Sequence, residues 1–315
     1  MLAFLPAPLL LIINLILIPA NSVIIAIPIM LLGIVRFILP FKAVIICIEK
    51  CNYYLYKAWV FNNRLIIALT NDIKWHIQGD DILNSAKSCI VVSNHLSWVD
   101  ILFIGMIYHG KIPTTKFFMK HSLIYIPFVG LACYALGMPF LRRYSREQLL
   151  KNPALRTADL ETTRKACKRL AMAPTALINF LEGTRYTKEK AKAAKSPYKH
   201  LMPPKAASFA MALGQIADKI DYIYNTTLFY PDNTQKPFIE LLKGRMKTVY
   251  VNIEIIKSSP EYCGDYLTDK EYKHRMTMEA RDLWAKKDEL LEKWHQEVFN
   301  QKHPEKTKLE EKKEA

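Results

Sequence analysis

The chain has 315 residues, 51% of them hydrophobic and 23% charged, a balance that supports a large core and excludes a disordered protein. Lysine and arginine number 44 against 29 acidic residues, a net charge of +15 that favours a polyanionic partner such as lipid headgroups, a phosphorylated substrate or nucleic acid. The first thirty-five positions carry no Asp, Glu, Lys or Arg, which excludes an ordinary soluble cytosolic protein.

Residues 1–42 read as a membrane anchor. A cleaved signal peptide fits poorly, because there is no basic n-region and no small-x-small cleavage site, and a second apolar run follows directly. Pro19-Ala20-Asn21-Ser22 divides the run into two pieces of about 18 residues, each about 27 Å long as a helix. The expectation is a two-helix membrane hairpin with its turn at residues 19–22. Pro6, Pro8, Pro28 and Gly33 leave open a pair that dips into one leaflet and returns. Arg36, Lys42, Lys50 and Lys57 follow the second piece, and the positive-inside rule then places the rest of the chain in the cytoplasm.

Residues 43–84, with Tyr53, Tyr54, Tyr56, Lys57 and Trp59, read as an interfacial neck. A body over 85–300 follows. Cys89-Ile90-Val91-Val92-Ser93 is a short apolar strand of the kind buried in a parallel or mixed sheet, and a helix is expected from Ser97 or Trp98. Ser122 to Leu141 has no formal charge, but Pro127, Gly130, Gly137 and Pro139 punctuate it, so a buried helix followed by a strand is expected rather than a third span. Leu160, Thr163, Cys167 and Leu170 keep helical spacing, and residues 175–181 read as a second buried strand ending in Glu182-Gly183-Thr184-Arg185. Val249, Val251, Ile253 and Ile255 alternate as a strand, and Trp284, Leu291, Trp294 and Val298 mark a helical stripe. Residues 301–315 are a Lys/Glu-rich tail with nothing to bury, expected to be disordered.

Between Arg142 and Lys199 lie fifteen lysines and arginines against five acidic residues, two thirds of the net charge in one region. The loop from Lys188 to Lys199 could face anionic headgroups or an acidic carrier protein, or be simply solvated; with no nucleic-acid motif beside it, no nucleic-acid partner is expected. The six cysteines form no C-x-x-C pair and read as reduced, mostly buried thiols. His76, His109 and His121 lack ligand spacing, so no metal is expected.

Asn94-His95-Leu96-Ser97-Trp98-Val99-Asp100 carries the most chemistry. With His95 at a strand end and Asp100 at a helix start, the carboxylate can turn back onto one imidazole nitrogen. It then fixes the tautomer, while the other nitrogen faces a substrate hydroxyl. Ser97 is too close in sequence to reach that same nitrogen.

This heptapeptide, then Gly137-Met138-Pro139-Phe140-Leu141-Arg142-Arg143, then Phe180-Leu181-Glu182-Gly183-Thr184-Arg185, resembles in order three blocks of the glycerolipid acyltransferases, the family of 1-acyl-glycerol-3-phosphate acyltransferase. Lys120-His121-Ser122-Leu123 is similar to the family's lysine segment, and the likeness spans roughly residues 85–256. Tyr186-Thr187-Lys188-Glu189-Lys190 and Tyr224 to Pro231 look like a bacterial inner-membrane subgroup related to lysocardiolipin acyltransferases. Three positions depart from the common pattern: Leu181 replaces a proline, Ala206-Ala207 stand where glycines are usual, and Tyr224 to Pro231 replaces a Val-Pro-rich strand.

The resemblance implies an α/β fold, with a mixed central sheet flanked by helices, like that of glycerol-3-phosphate acyltransferase. It implies that His95 is the general base and Asp100 its orienting partner. Arg143 and Arg185, with Lys120, would grip the acceptor phosphate, while Glu182, Gly183 and Thr184 would shape the pocket. The donor would be acyl-CoA or acyl-carrier protein, the acceptor a lysophospholipid, and no cofactor is expected beyond the donor. The location implied is the bacterial inner membrane, with the catalytic domain on the cytoplasmic side.

Overall fold

The computed structural model describes residues 1–79, 81, 88–141, 146–152, 154–170 and 174–302. The chain opens with two long helices, α1 (Ala7–Ile38) and α2 (Lys42–Thr70), packed against each other. The expected turn at residues 19–22 is therefore corrected: α1 runs through both Pro19 and Pro28. The residues that read as a turn face α2 instead. Asn21 Nδ2 donates to the Trp59 carbonyl at 3.1 Å, Asn62 Nδ2 to Asn21 Oδ1 at 3.0 Å, and Trp59 Nε1 to Ser22 Oγ at 3.1 Å. Polar side chains satisfied by a neighbouring helix give the chain no reason to break there. The hairpin's second arm is thus α2, which occupies most of the stretch read as a neck.

The remaining strands and α-helices are β1 (Lys74–Gly79), β2 (Ser88–Ser93), α3 (Val99–Ile107), β3 (Thr115–Phe117), β4 (Met119–Lys120), α4 (Val129–Ala135) and β5 (Phe140–Leu141). They continue with α5 (Arg146–Lys151), α6 (Ala154–Leu170), β6 (Ala176–Phe180), α7 (Lys188–Ala193), α8 (Ala206–Ile216), β7 (Ile220–Phe229), α9 (Pro237–Leu242), β8 (Thr248–Lys257) and α10 (Lys270–Lys302). Six strands form one sheet in the order β1-β8-β7-β2-β6-β3, and β4 pairs with β5 separately. Every pairing is parallel except β7 with β8, so the sheet is mixed, as expected. β1 lies within the stretch read as neck and forms the sheet edge beside β8.

Successive strand residues point to opposite faces, and both faces are covered. Ile90, Val92 and Leu177 pack with Phe209 and Leu213 of α8 and with Trp284 and Trp294 of α10. On the other face Cys89, Val91 and Ile178 pack with Val99 and Phe103 of α3 and with Leu241 of α9. A strand buried on both sides must be apolar throughout, which is why β2 reads as an unbroken run. Cys89 and Cys167 are buried, whereas Cys47, Cys51 and Cys263 are exposed, so the expectation of mostly buried thiols is also corrected.

Helix α1 is long and apolar enough to cross a membrane, and most of its surface faces outward. It touches the globular body through both halves. Asn14 Nδ2 donates to the Leu242 carbonyl of α9 at 2.9 Å, and Ala26 and Ile29 pack with Ala132 and Leu136. Residues 303–315, most of the expected disordered tail, lie outside the described residues.

Candidate active site

Strand β2 delivers Asn94 and His95 to the C-terminal edge of the sheet. Asn94 is buried and ties this strand end to β7, its Nδ2 donating to the Leu228 carbonyl and its Oδ1 accepting from the Leu228 amide, both at 2.9 Å. The chain then turns into α3, whose first turn carries Asp100. His95 Nδ1 lies 2.7 Å from Asp100 Oδ2, which also accepts the amides of Leu96 at 2.7 Å and Ser97 at 2.9 Å. A carboxylate oxygen can only accept, so Nδ1 carries the hydrogen and Nε2 is left as the basic nitrogen. The Asp100 side chain is fully buried, while that of His95 keeps 16% of its surface exposed. Ser97 Oγ accepts from the Val99 amide and is turned toward the helix start, not toward His95.

Two residues at this centre were not singled out by the sequence. Tyr230, just beyond β7, donates its hydroxyl to Asp100 Oδ1 at 2.8 Å, so both carboxylate oxygens are engaged. Burial, then the charge of Asp100, raises the Tyr230 hydroxyl well above its ordinary range and keeps it a donor. Lys287 of α10 is also buried, its Nζ donating to the Thr226 carbonyl at 2.6 Å and Thr227 Oγ1 at 3.0 Å. Burial pulls the Lys287 amine down to about 7, while Glu182 and Glu254 act in the opposite sense. Tyr-Pro after an apolar strand and one lysine on an otherwise apolar helical stripe were the available signals. Neither says where the side chain ends until distant segments meet.

The third block lies beside the first because β6 pairs with β2. Phe180 stacks on the His95 ring at 4.1 Å between centroids and 16° between planes, and the Tyr186 amide donates to the His95 carbonyl at 2.7 Å. Glu182 is fully buried, and the groups that approach its carboxylate include the backbone amides of His95 and Met202. Burial pushes its carboxyl well above the usual carboxylate range and the negative charge of Asp100 adds to this; Lys287 and the nearby amides of His95 and Met202 oppose it. Gly183 takes φ 65° in the turn that follows, a left-handed conformation suited to glycine. Leu181 is buried in the core, and its carbonyl accepts from the Lys205 amide.

Arg185 is exposed, its guanidinium 5.2 Å from the centre of the Trp98 ring, so the first and third blocks meet through a cation–π contact. Lys190 of α7 donates to Thr184 Oγ1 at 3.0 Å and to the Arg185 carbonyl at 3.1 Å, fastening the basic helix to this loop. Lys120 is exposed on β4, in the two-stranded sheet rather than in the central one. Arg143 lies outside the described residues. His95, Asp100, Glu182, Gly183, Thr184 and Arg185 are thus gathered at two neighbouring strand ends.

The model of the family described as Acyltransferase matches residues 74–251. Among curated proteins the chain is 27% identical over 221 residues to 1-acyl-sn-glycerol-3-phosphate acyltransferase 2 of Arabidopsis thaliana, covering 66% of this chain and 52% of that protein. It is 26% identical over 171 residues to 1-acyl-sn-glycerol-3-phosphate acyltransferase delta of Mus musculus, covering 50% and 42% of the two chains. The chain therefore spans about half the length of these relatives. Among solved structures it resembles the 1-acyl-sn-glycerophosphate acyltransferase PlsC from Thermotoga maritima, with a TM-score of 0.51 and 17% identity, covering 89% of this chain and 95% of that one. That likeness supports the mixed, helix-flanked sheet.

Proposed function

The chain belongs to the acyltransferase family, and from that membership we propose that it transfers a fatty acyl group from acyl-CoA or acyl-carrier protein to the sn-2 hydroxyl of 1-acyl-glycerol-3-phosphate, giving phosphatidic acid. The observation that carries this reading is the His95–Asp100 pair, with Nδ1 held at 2.7 Å, Nε2 left as the basic nitrogen and the ring partly exposed. Such a pair needs a nucleophile; Ser97 is turned away, so the acceptor hydroxyl supplies it.

Nε2 of His95 takes the hydroxyl proton as the acceptor oxygen attacks the thioester carbonyl. Asp100, bonded to Nδ1, orients the ring and stabilises the imidazolium that forms. The tetrahedral intermediate then collapses, the carbon–sulfur bond breaks, and the proton held on Nε2 passes to the departing thiolate. Arg185, steadied over Trp98, offers a guanidinium fork to the acceptor phosphate; Lys120 and Arg143 are assigned the same partner on the likeness of their motifs. The outward apolar surface of α1 supports membrane attachment. Because α1 rests on the body through both halves, we read the α1–α2 pair as inserted into one leaflet, with the body on the cytoplasmic side of a bacterial inner membrane.

A second reading, another lysophospholipid acceptor such as lysophosphatidylglycerol or a lysocardiolipin, is favoured by the sequence of Tyr224 to Pro231. A non-catalytic, membrane-tethered polyanion-binding protein is disfavoured by the intact dyad. The test is transfer of radiolabelled acyl groups, from each donor in turn, to a panel of lysophospholipids by the purified protein beside His95→Ala. Activity of the wild type alone supports the reading and identifies the acceptor. Equal inactivity of both folded proteins with every donor and acceptor rejects catalysis.

A further inference from the structure

Ser122 to Leu141 is a run of twenty residues without a formal charge, and the structure does not bury it as expected. Tyr125, Ile126, Phe128, Leu131 and Tyr134 are 76, 44, 45, 51 and 63% exposed. The opposite side of the segment is tightly held. Ala132 and Leu136 are buried against Ala26 and Ile29 of α1, and a Cβ added to Gly33 would lie only 2.8 Å from Ala135 Cβ. Segment and helix are one packed unit, so the exposed side chains of α4 continue the apolar surface of α1.

We propose that residues 125–134 are a second membrane-inserting element, a shallow wedge seated beside α1, and that the partner covering this face is a phospholipid bilayer. The proposal rests on the membrane-bound acyltransferase reading above and adds to it a contact outside the α1–α2 anchor.

The observations favour lipid over a protein partner in three ways. Backbone groups in a bilayer must be satisfied internally, and here they largely are. The amides of Ile126, Val129, Gly130, Ala132 and Leu136 donate to carbonyls within the segment, and Pro127 has no amide hydrogen. Side chains suited to headgroups stand at both ends of the sequence run, with Lys120 and His121 before it and Arg142 and Arg143 after it. The exposed rings include two tyrosines, which favour the bilayer interface. Helix α4, seven residues and about 10 Å long, is far short of a bilayer core of about 30 Å, so insertion is shallow. The consequence for the reaction is positional: Lys120, at the start of the wedge, is brought to the level of lipid phosphates, and an acceptor can enter without leaving the leaflet.

The test uses the full chain carrying a benzophenone amino acid at Leu131 or Tyr134, reconstituted in vesicles of phosphatidylethanolamine and phosphatidylglycerol, illuminated and analysed by mass spectrometry. Ile16 on α1 and Met278 on α10, both exposed, serve as reference positions. Lipid adducts are expected at Leu131, Tyr134 and Ile16, and none at Met278. Adducts at Ile16 without any at Leu131 or Tyr134 overturn the wedge and leave the anchor standing. No adducts at any position would remove membrane attachment itself. Protein dimers crosslinked through Leu131 or Tyr134 in place of lipid adducts would show a self-association face and also overturn the proposal.

Discussion

At the scale of single residues, the site is a set of buried polar atoms whose partners come from different parts of the chain. Tyr230→Phe removes the hydrogen bond to Asp100 Oδ1 and leaves that buried carboxylate oxygen without its donor. A hydrogen bond to a charged group contributes about 1.5–3 kcal/mol. The variant should lose stability of that order in urea unfolding and turn over more slowly; unchanged unfolding and turnover would show the contact to be idle. Lys287 gives the pH dependence. Its folded pKa is depressed from 10.5 to about 7, mainly by burial. The unfolded chain therefore holds a proton that the folded chain has lost between these values, and the stability this residue contributes is full above about 10.5 and lost as the pH falls toward about 7. Lys287→Met removes that slope. The difference in urea midpoint between wild type and variant should shift against the wild type on going from pH 10 to pH 7 and then level off. A difference that stays flat over that range would mean that the folded lysine keeps its ordinary pKa.

At the scale of elements, parallel pairing of β6 with β2 brings Phe180 under His95 and Arg185 over Trp98. The other neighbour of β2 is β7, and Asn94 fastens that seam with two hydrogen bonds at 2.9 Å. Asn94→Ala deletes both and leaves a buried amide and a buried carbonyl of Leu228 unpaired, a loss of roughly 2–6 kcal/mol at 1–3 kcal/mol for each unsatisfied group. Thermal unfolding should register it, and His95 should lose activity because its strand end is no longer pinned; a midpoint within a degree of wild type would refute the assignment. The same logic accounts for the N-terminal helix. Proline and asparagine mark a turn when nothing else satisfies them, but here Asn21 and Ser22 bond to α2, so α1 continues.

At the scale of the whole molecule, the proposed membrane attachment would draw on two kinds of surface. Apolar side chains of α1 would insert independently of salt, whereas the cations from Lys188 to Lys195 would act within a screening length of about 10 Å at 0.1 M salt and about 3 Å at 1 M. Raising salt should weaken binding to anionic vesicles to the level seen with neutral ones without abolishing it, as measured by flotation. Complete release would argue against insertion, and no change would remove the basic region from the contact. Much of this was legible without a structure. The sequence by itself determined that a long apolar stretch precedes an α/β body and that β2 and β6 are buried on both faces, because periodicity acts over short stretches of chain; the pairing of His95 with Asp100 is read from the likeness of three ordered motifs, since five-residue spacing alone is common. Tertiary structure alone decided that α1 is one helix, that β1 belongs to the sheet, that the Ser122 to Leu141 segment turns an apolar face outward, and that Tyr230 and Lys287 reach the centre. Those outcomes depend on which distant segment satisfies a polar atom or covers an apolar one, and a local pattern holds no record of its partner.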